Sequence, residues 1–318
     1  MLFTASSPHF KVTHTMTTLG TYAVQSPFTS TDPTLQTLYR DKLLDGAANN
    51  GVRFIGDLGF PYSYPGGALT GRPAAGAPAN GAQVVDVSGN VNGQATILSG
   101  QTVGYAGGGF DFSTLTATNS FLQVPASVAA DLWTPYGGAS QRYLICAYVK
   151  LPSTVDWNAE ANAAPFISFA TNNASAGNPD IVTVAQMQGG QLLALRQTGG
   201  SNLVFTSFAV PAGAFGQVAQ LAFWRNSSGI GLTLKAAGVR TTLTGAVGAD
   251  NTENFTGQAG RFGVGNAYWL AGFTGSHANA KKFRLYRNFV ENLARTGRDP
   301  LTVLDADYAR VIARAAFA

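Results

Sequence analysis

From about residue 83 the chain is a succession of short runs rich in β-branched and aromatic residues, cut at near-regular intervals by turn-forming clusters. The runs fall at 83–87, 121–124, 143–151, 165–170, 181–187, 192–196, 203–210, 218–225, 231–235, 261–264 and 281–286. Between them lie Gly189-Gly190, Gly199-Gly200-Ser201-Asn202, Asn226-Ser227-Ser228-Gly229 and Ala236-Ala237-Gly238. Gly and Asn reach the left-handed backbone conformations that tight turns need, so such clusters punctuate strands. No long helical pattern interrupts the series. Many short strands with this spacing predict an all-β chain folded as an antiparallel jelly-roll sandwich. One helix is predicted after them, over 305–316, where Tyr308, Val311, Ile312 and Ala315 share a face.

The residues before 83 read differently. Residues 1–28 are Thr/Ser-rich and extended in pattern. Ser30-Thr31-Asp32-Pro33 is a helix start, followed by Leu35, Leu38, Tyr39, Lys42 and Leu43 at helical spacing. Residues 56–82 are crowded with Gly, Pro and Ala, which disfavours helix and strand alike. These signals predict a division near residue 80. Residues 1–79 would be an anchoring arm, helix and linker, and 80–318 the sandwich domain. No helical run is long enough to cross a bilayer, so no membrane partner is expected. The first 16 residues lack the charged start and apolar run of a secretory signal.

Charge narrows the function classes. Charged residues are only 11% of the chain, and the formal net charge is +4. Eight basic side chains face four acids after residue 280, so the whole excess lies there and the preceding residues balance. Interspersed acids and the lack of an aromatic-basic platform argue against a nucleic-acid partner. A solvated face or a contact to another subunit is the reading kept. The single Cys146 excludes an intrachain disulfide, and with three His it excludes a Cys/His zinc cluster. Cys146 sits mid-strand between Ile145 and Ala147, which marks a core thiol.

Several segments, in order, resemble the laminin-G-like, concanavalin-A-like jelly-roll domains. Asp86-Val87-Ser88-Gly89-Asn90 is similar to that family's opening turn. Gly109-Phe110-Asp111-Phe112-Ser113 and Asn119-Ser120-Phe121-Leu122-Gln123-Val124-Pro125 resemble its next strand pair. The run 143–150, the hairpin 217–238 and the closing Lys282-Phe283-Arg284-Leu285-Tyr286-Arg287 continue the likeness. Departures are an insert at 157–164 and a long stretch at 239–280. The resemblance implies a binding or structural role, with no cofactor required. Calcium is the one cation it leaves open, through Asp86, Asn90 and Asp111.

A glycosidase needs two carboxylates facing each other across a cleft. The close pairs here are Asp156 with Glu160 and Asp250 with Glu253, all in loop-like segments that also suit solvated charges. His9, His14 and His277 have no nucleophile elbow to serve. No catalytic residue is therefore expected. Glycan binding needs loop aromatics to stack on sugar faces and amides for hydroxyls. Trp157 with Asn158, and Tyr268 with Trp269, are the candidates, with Trp133 and Tyr136 nearby in type. The competing reading for each is burial under its own loop.

These readings converge on an expectation. The chain would be a non-enzymatic virion structural protein of a tailed bacteriophage, assembled in the host bacterial cytoplasm. It would act on tail, baseplate, fibre or capsid, beside other virion proteins, as a homo-oligomer, with a host-surface glycan as ligand. The alternatives are a carbohydrate-active enzyme or its binding module, and a purely architectural subunit without ligand.

Overall fold

The computed structural model describes residues 41–66, 75–117, 119–159, 163–170, 180–198, 203–264, 282–314 and 317. Strands β1 to β16 occupy Val52–Asp57, Gln83–Val84, Gly93–Thr96, Gly104–Ala106, Gly109–Asp111, Ser120–Val124, Tyr143–Lys150, Ala164–Ala170, Asp180–Met187, Gln191–Gln197, Leu203–Ala209, Val218–Arg225, Ile230–Ala236, Val239–Gly245, Gly260–Val264 and Arg284–Asn292. Helices α1 to α3 occupy Ala126–Trp133, Leu293–Thr296 and Pro300–Val311. Two antiparallel sheets result, as an all-β sandwich requires. The first runs β14-β13-β12-β7-β16-β5-β4, and the second β11-β10-β9-β8-β15-β6-β3-β2.

Strand β16 organises the first sheet. One side pairs with β7 from Arg284↔Lys150 to Asn292↔Tyr143. The other is shared: its start pairs with β5, and its remainder with β1 from Asp57↔Arg287 to Val52↔Glu291. β1 lies within the run expected to be arm and linker. The chain divides after Tyr39 instead, and all described residues belong to Arg40–Ala318. Residues 41–66, expected among the arm and linker, thus contribute a strand to the sandwich. Gly and Pro after residue 58 masked the strand that precedes them. The helix expected from Ser30 lies mostly outside the described residues, and its last part is a single 3-10 turn at Lys42–Leu44.

The sheets enclose the main core. On β7, Tyr143, Ile145, Ala147 and Val149 point into it, and on β12 Ala219, Leu221 and Phe223 do the same. The alternate residues are buried too. Leu144, Cys146, Tyr148, Ala222 and Trp224 form a second core on the outer face, roofed by Leu304, Tyr308 and Val311 of α3 and by Leu43. That double burial explains why 143–149 reads as an unbroken apolar run. Each large apolar side chain of α3 removed from water favours docking by about 1.5–3 kcal/mol before entropy is counted.

Helix α3 starts five residues before the predicted position. The Asp299 side chain caps it, accepting from Thr302 N at 2.8 Å, and Pro300 opens its first turn. The closing strand likewise runs on to Asn292, beyond the predicted 286. The hairpin β13–β14 turns through Ala237 and Gly238, both at positive φ (47° and 81°), the pattern of a type I′ turn.

Candidate functional site

The densest chemistry lies where α3 crosses the outer face of the first sheet. Arg287 projects from β16 and is completely buried. Its Nη1 meets Asp41 Oδ2 and Asp57 Oδ2, both at 2.8 Å, and its Nη2 meets Asp307 Oδ1 at 3.0 Å. Arg310 adds a second cation to Asp307 at 2.9 Å, and Arg314 a second to Asp57. Tyr148 Oη donates to Asp307 Oδ2 at 2.8 Å and accepts from Gln220 Nε2 at 2.7 Å. Gln220 also donates to the Leu304 carbonyl at 2.9 Å. Burial opposes the charge on Arg287, yet Asp307, Asp41 and Asp57 outweigh it and hold the guanidinium well above its ordinary range. Burial likewise opposes ionisation of Asp41, but Arg287 and the Leu43 N–H hold its carboxyl below 3.8. Every carboxylate in this cluster faces a cation. The arrangement fixes α3 and the chain near residue 41 to the sheet.

The same accounting runs through the rest of the molecule. Arg284 meets Asp111 at 3.2 Å, Arg295 meets Asp131 at 2.6 Å, Arg298 meets Glu291 at 2.6 Å, and Lys282 meets Asp156 at 2.6 Å. Lys235 and Arg240 share Asp305. The basic excess after residue 280 is therefore largely matched inside the chain, mostly by acids from residues 41–156. Among the described residues after 280, the basic side chains are thus largely ion-paired within the chain.

Of the acid pairs considered for glycosidase chemistry, Asp156 and Asp250 are committed to cations. Asp156 accepts from Lys282 and Ser153, which hold its carboxyl below the ordinary value. Asp250 is the counter-ion of Arg225, at 2.7 Å. Arg225 ends β12 in the first sheet and Arg196 lies on β10 in the second, and both bind carbonyls of the 247–249 loop. Burial and the neighbouring Arg196 pull the Arg225 guanidinium below its ordinary range. The loop thus clamps the two sheets together. Glu253 accepts from Asn254 N, and Glu160 lies outside the described residues.

Calcium finds no assembled site among these residues. Both Asp86 oxygens are filled by protein donors: Ile55 N, Ser88 N, Ser88 Oγ and Asn90 N. The amide of Asn90 donates to the Val52 carbonyl, and Asp111 is paired with Arg284. Among the described residues no group of three or more metal-ligating His, Cys, Asp or Glu occurs. The Asp86-to-Asn90 motif locks a turn onto β1.

The predicted sugar platform is corrected in part. Trp157 is 4% exposed and Asn158 2%. The Trp157 indole packs against Phe166 and Phe215 and donates to the Met187 carbonyl at 2.8 Å. Asn158 Nδ2 donates to the Gln186 carbonyl at 3.2 Å. Both are pinned under their own loop and present no face to a sugar. Trp133 packs on Phe255, and Tyr136 lies under the Arg295 guanidinium. Tyr268 and Trp269 lie outside the described residues. Cys146 is buried as expected, and burial drives its thiol well above the ordinary value. The residue that the sequence reading passed over is Arg287. Its signal was an Arg inside an aromatic strand, where an unpaired charge could not stay.

No protein-family model and no curated protein matches the chain. Among solved structures, it is similar to the binding domain of Paraclostridial Mosquitocidal Protein 1, at 9% identity and a TM-score of 0.40, over 74% of this chain and 51% of that one. It is similar to the Botulinum Neurotoxin Type G receptor binding domain at 9% identity and 0.38, over 73% and 50%. A Ruminococcus gnavus IT-sialidase CBM40 bound to alpha2,3 sialyllactose matches at 13% identity and 0.37, over 57% and 88%. The chain thus spans about half the length of the two toxin domains. Likenesses this distant bear on neither ligand nor activity.

Proposed function

We propose that the chain is a non-enzymatic structural subunit of a tailed bacteriophage virion, with its sandwich presenting a surface to a host glycan and to neighbouring virion proteins. The observation that carries the non-enzymatic part is the commitment of carboxylates. Asp41, Asp57, Asp111, Asp131, Asp156, Asp250, Asp305, Asp307 and Glu291 each face a Lys or Arg, Asp86 locks a turn, and Asp299 caps α3. A carboxylate held in an ion pair inside the fold is not presented to a substrate as an acid or base. The virion part is supported by a fold fastened through buried ion pairs, with its lone thiol sealed in the core. Such a fold matures without disulfide formation, as assembly in a bacterial cytoplasm demands. Of the predicted sugar contacts, Tyr268 and Trp269 are carried forward as candidates.

The test is a glycan array probed with the full chain, beside a hydrolysis assay on the bound glycans. Binding that falls at least tenfold in Trp269→Ala, without release of reducing ends, is the expected result. Turnover of any bound glycan would overturn the non-enzymatic reading. Electron microscopy of particles carrying the tagged chain checks the virion role, and absence from every particle would remove it.

A further inference from the structure

Strand β14 is one edge of the first sheet. Ala236 and Val239 form the pair next to the two-residue turn. Val239, Thr241, Leu243 and Gly245 therefore direct their backbone groups to β13, while Arg240, Thr242 and Thr244 direct theirs outward. Among the described residues no strand takes up those outward groups. Edges of this kind are ordinarily blunted by Lys, Pro, a bulge or a covering segment. β14 reads Val-Arg-Thr-Thr-Leu-Thr-Gly and pairs with β13 without a register shift. Its one charge, Arg240, turns back to Asp305 Oδ1 and Gln220 Oε1, both at 2.9 Å. Val239 is 65% exposed and Leu243 38%.

We infer that β14 is where a second copy of this chain docks, antiparallel, about a two-fold axis at Thr242. The strand is its own complement in that register. Thr242 lies opposite Thr242 and Arg240 opposite Thr244, so no like charges meet. Leu243 lies opposite Thr241 and diagonal to Leu243 of the second copy, within reach of contact. The outward groups of three residues on each strand then form about six hydrogen bonds. The edge of the second sheet supports the same partner. Strand β11, also seven residues, lies against β14, and the same axis brings it toward its own copy. A stable interface takes roughly 800 Å² per partner, so the second edge extends the contact beyond a single strand. A peptide that bound only the backbone would explain neither the self-matching charges nor the paired edges. The docking holds whether or not the sandwich binds glycan.

Light scattering on the full chain across a concentration series tests this. The unmodified chain is expected to reach twice the single-chain mass. Thr242→Pro removes one outward N–H and leaves the β13 ladder intact, so it should stay at single-chain mass. Should that variant fail to fold, the exposed Thr244 supplies the test. Thr244→Arg sets like charge opposite Arg240 and should weaken dimerisation about tenfold, whereas Thr244→Glu should preserve or tighten it. An unmodified chain that stays single at every concentration overturns the inference, including the case in which residues 1–39 occupy the edge. A dimer indifferent to Thr242→Pro and Thr244→Arg, or weakened equally by Arg and Glu at 244, overturns it as well.

Discussion

At the scale of single residues, the fold rests on charges placed where water is absent. Arg287 bridges three aspartates at once, with Arg310 and Arg314 adding charge at Asp307 and Asp57, and taking ions from water is costly unless each is paired. Arg287→Met should therefore cost about 3–5 kcal/mol, because it leaves Asp41 and Asp307 buried with fewer cations. Urea denaturation reads this as a lower midpoint with an unchanged slope. The acids give a pH signature. At Asp41, Asp111 and Asp305 burial opposes ionisation, but the facing cations, joined at Asp41 and Asp111 by nearby hydrogen bonds, hold the carboxyls below 3.8. The unfolded chain then takes up protons first as pH falls. Their stabilisation is present above the unfolded value and is lost as pH drops through the lowered folded values. Asp86 runs the opposite way, since burial raises its carboxyl above 3.8 against the turn's donors. Lys282 and Ser153 lower Asp156 as well, so four acids stand against one, and the melting temperature should fall from about pH 4 downward and stay level above about pH 5, by calorimetry across pH. A melting temperature that rises on acidification below pH 4 would refute this.

At the scale of elements, strands with both faces covered tolerate no added volume. Gly231 on β13 lies under the indole of Trp224, where an added Cβ would come within 2.3 Å of the ring. Gly231→Ala should displace the ring and cost about 1–3 kcal/mol, with a shift in tryptophan emission as the check. The sequence showed the elements whose signal is local. Strands β7, β9 and β12, and the hairpin β12–β13, stand within a residue or two of prediction. It missed β1 because Val52–Asp57 is short and its meaning lies in a partner more than 200 residues away. It missed β14 because three threonines and an Arg carry no apolar alternation on an edge. The candidate site was less legible still. Whether Trp157 faces solvent depends on Phe166, Phe215 and Met187, and no spacing in the sequence brings those together.

At the scale of the whole molecule, the second core and its ion pairs make the outer face of the first sheet an interior. Cys146 reports on it, being fully buried with a thiol that burial makes a poor nucleophile. An aromatic disulfide reagent should leave it untouched in the native chain and react at the rate of global unfolding. Fast labelling under native conditions would mean that α3 lifts from the sheet. The position of β16 has a consequence for biosynthesis. β1, β5 and β7 all leave the ribosome long before the strand that lies between them. Until Arg284–Asn292 emerges, two edges of the nascent sheet stand open, and Asp57 waits without its arginine. A growing chain in that state is exposed to mispairing with others on the same message. Slower translation ahead of β16 should therefore lower the yield of soluble protein, and a chaperone that shelters nascent strands should restore it.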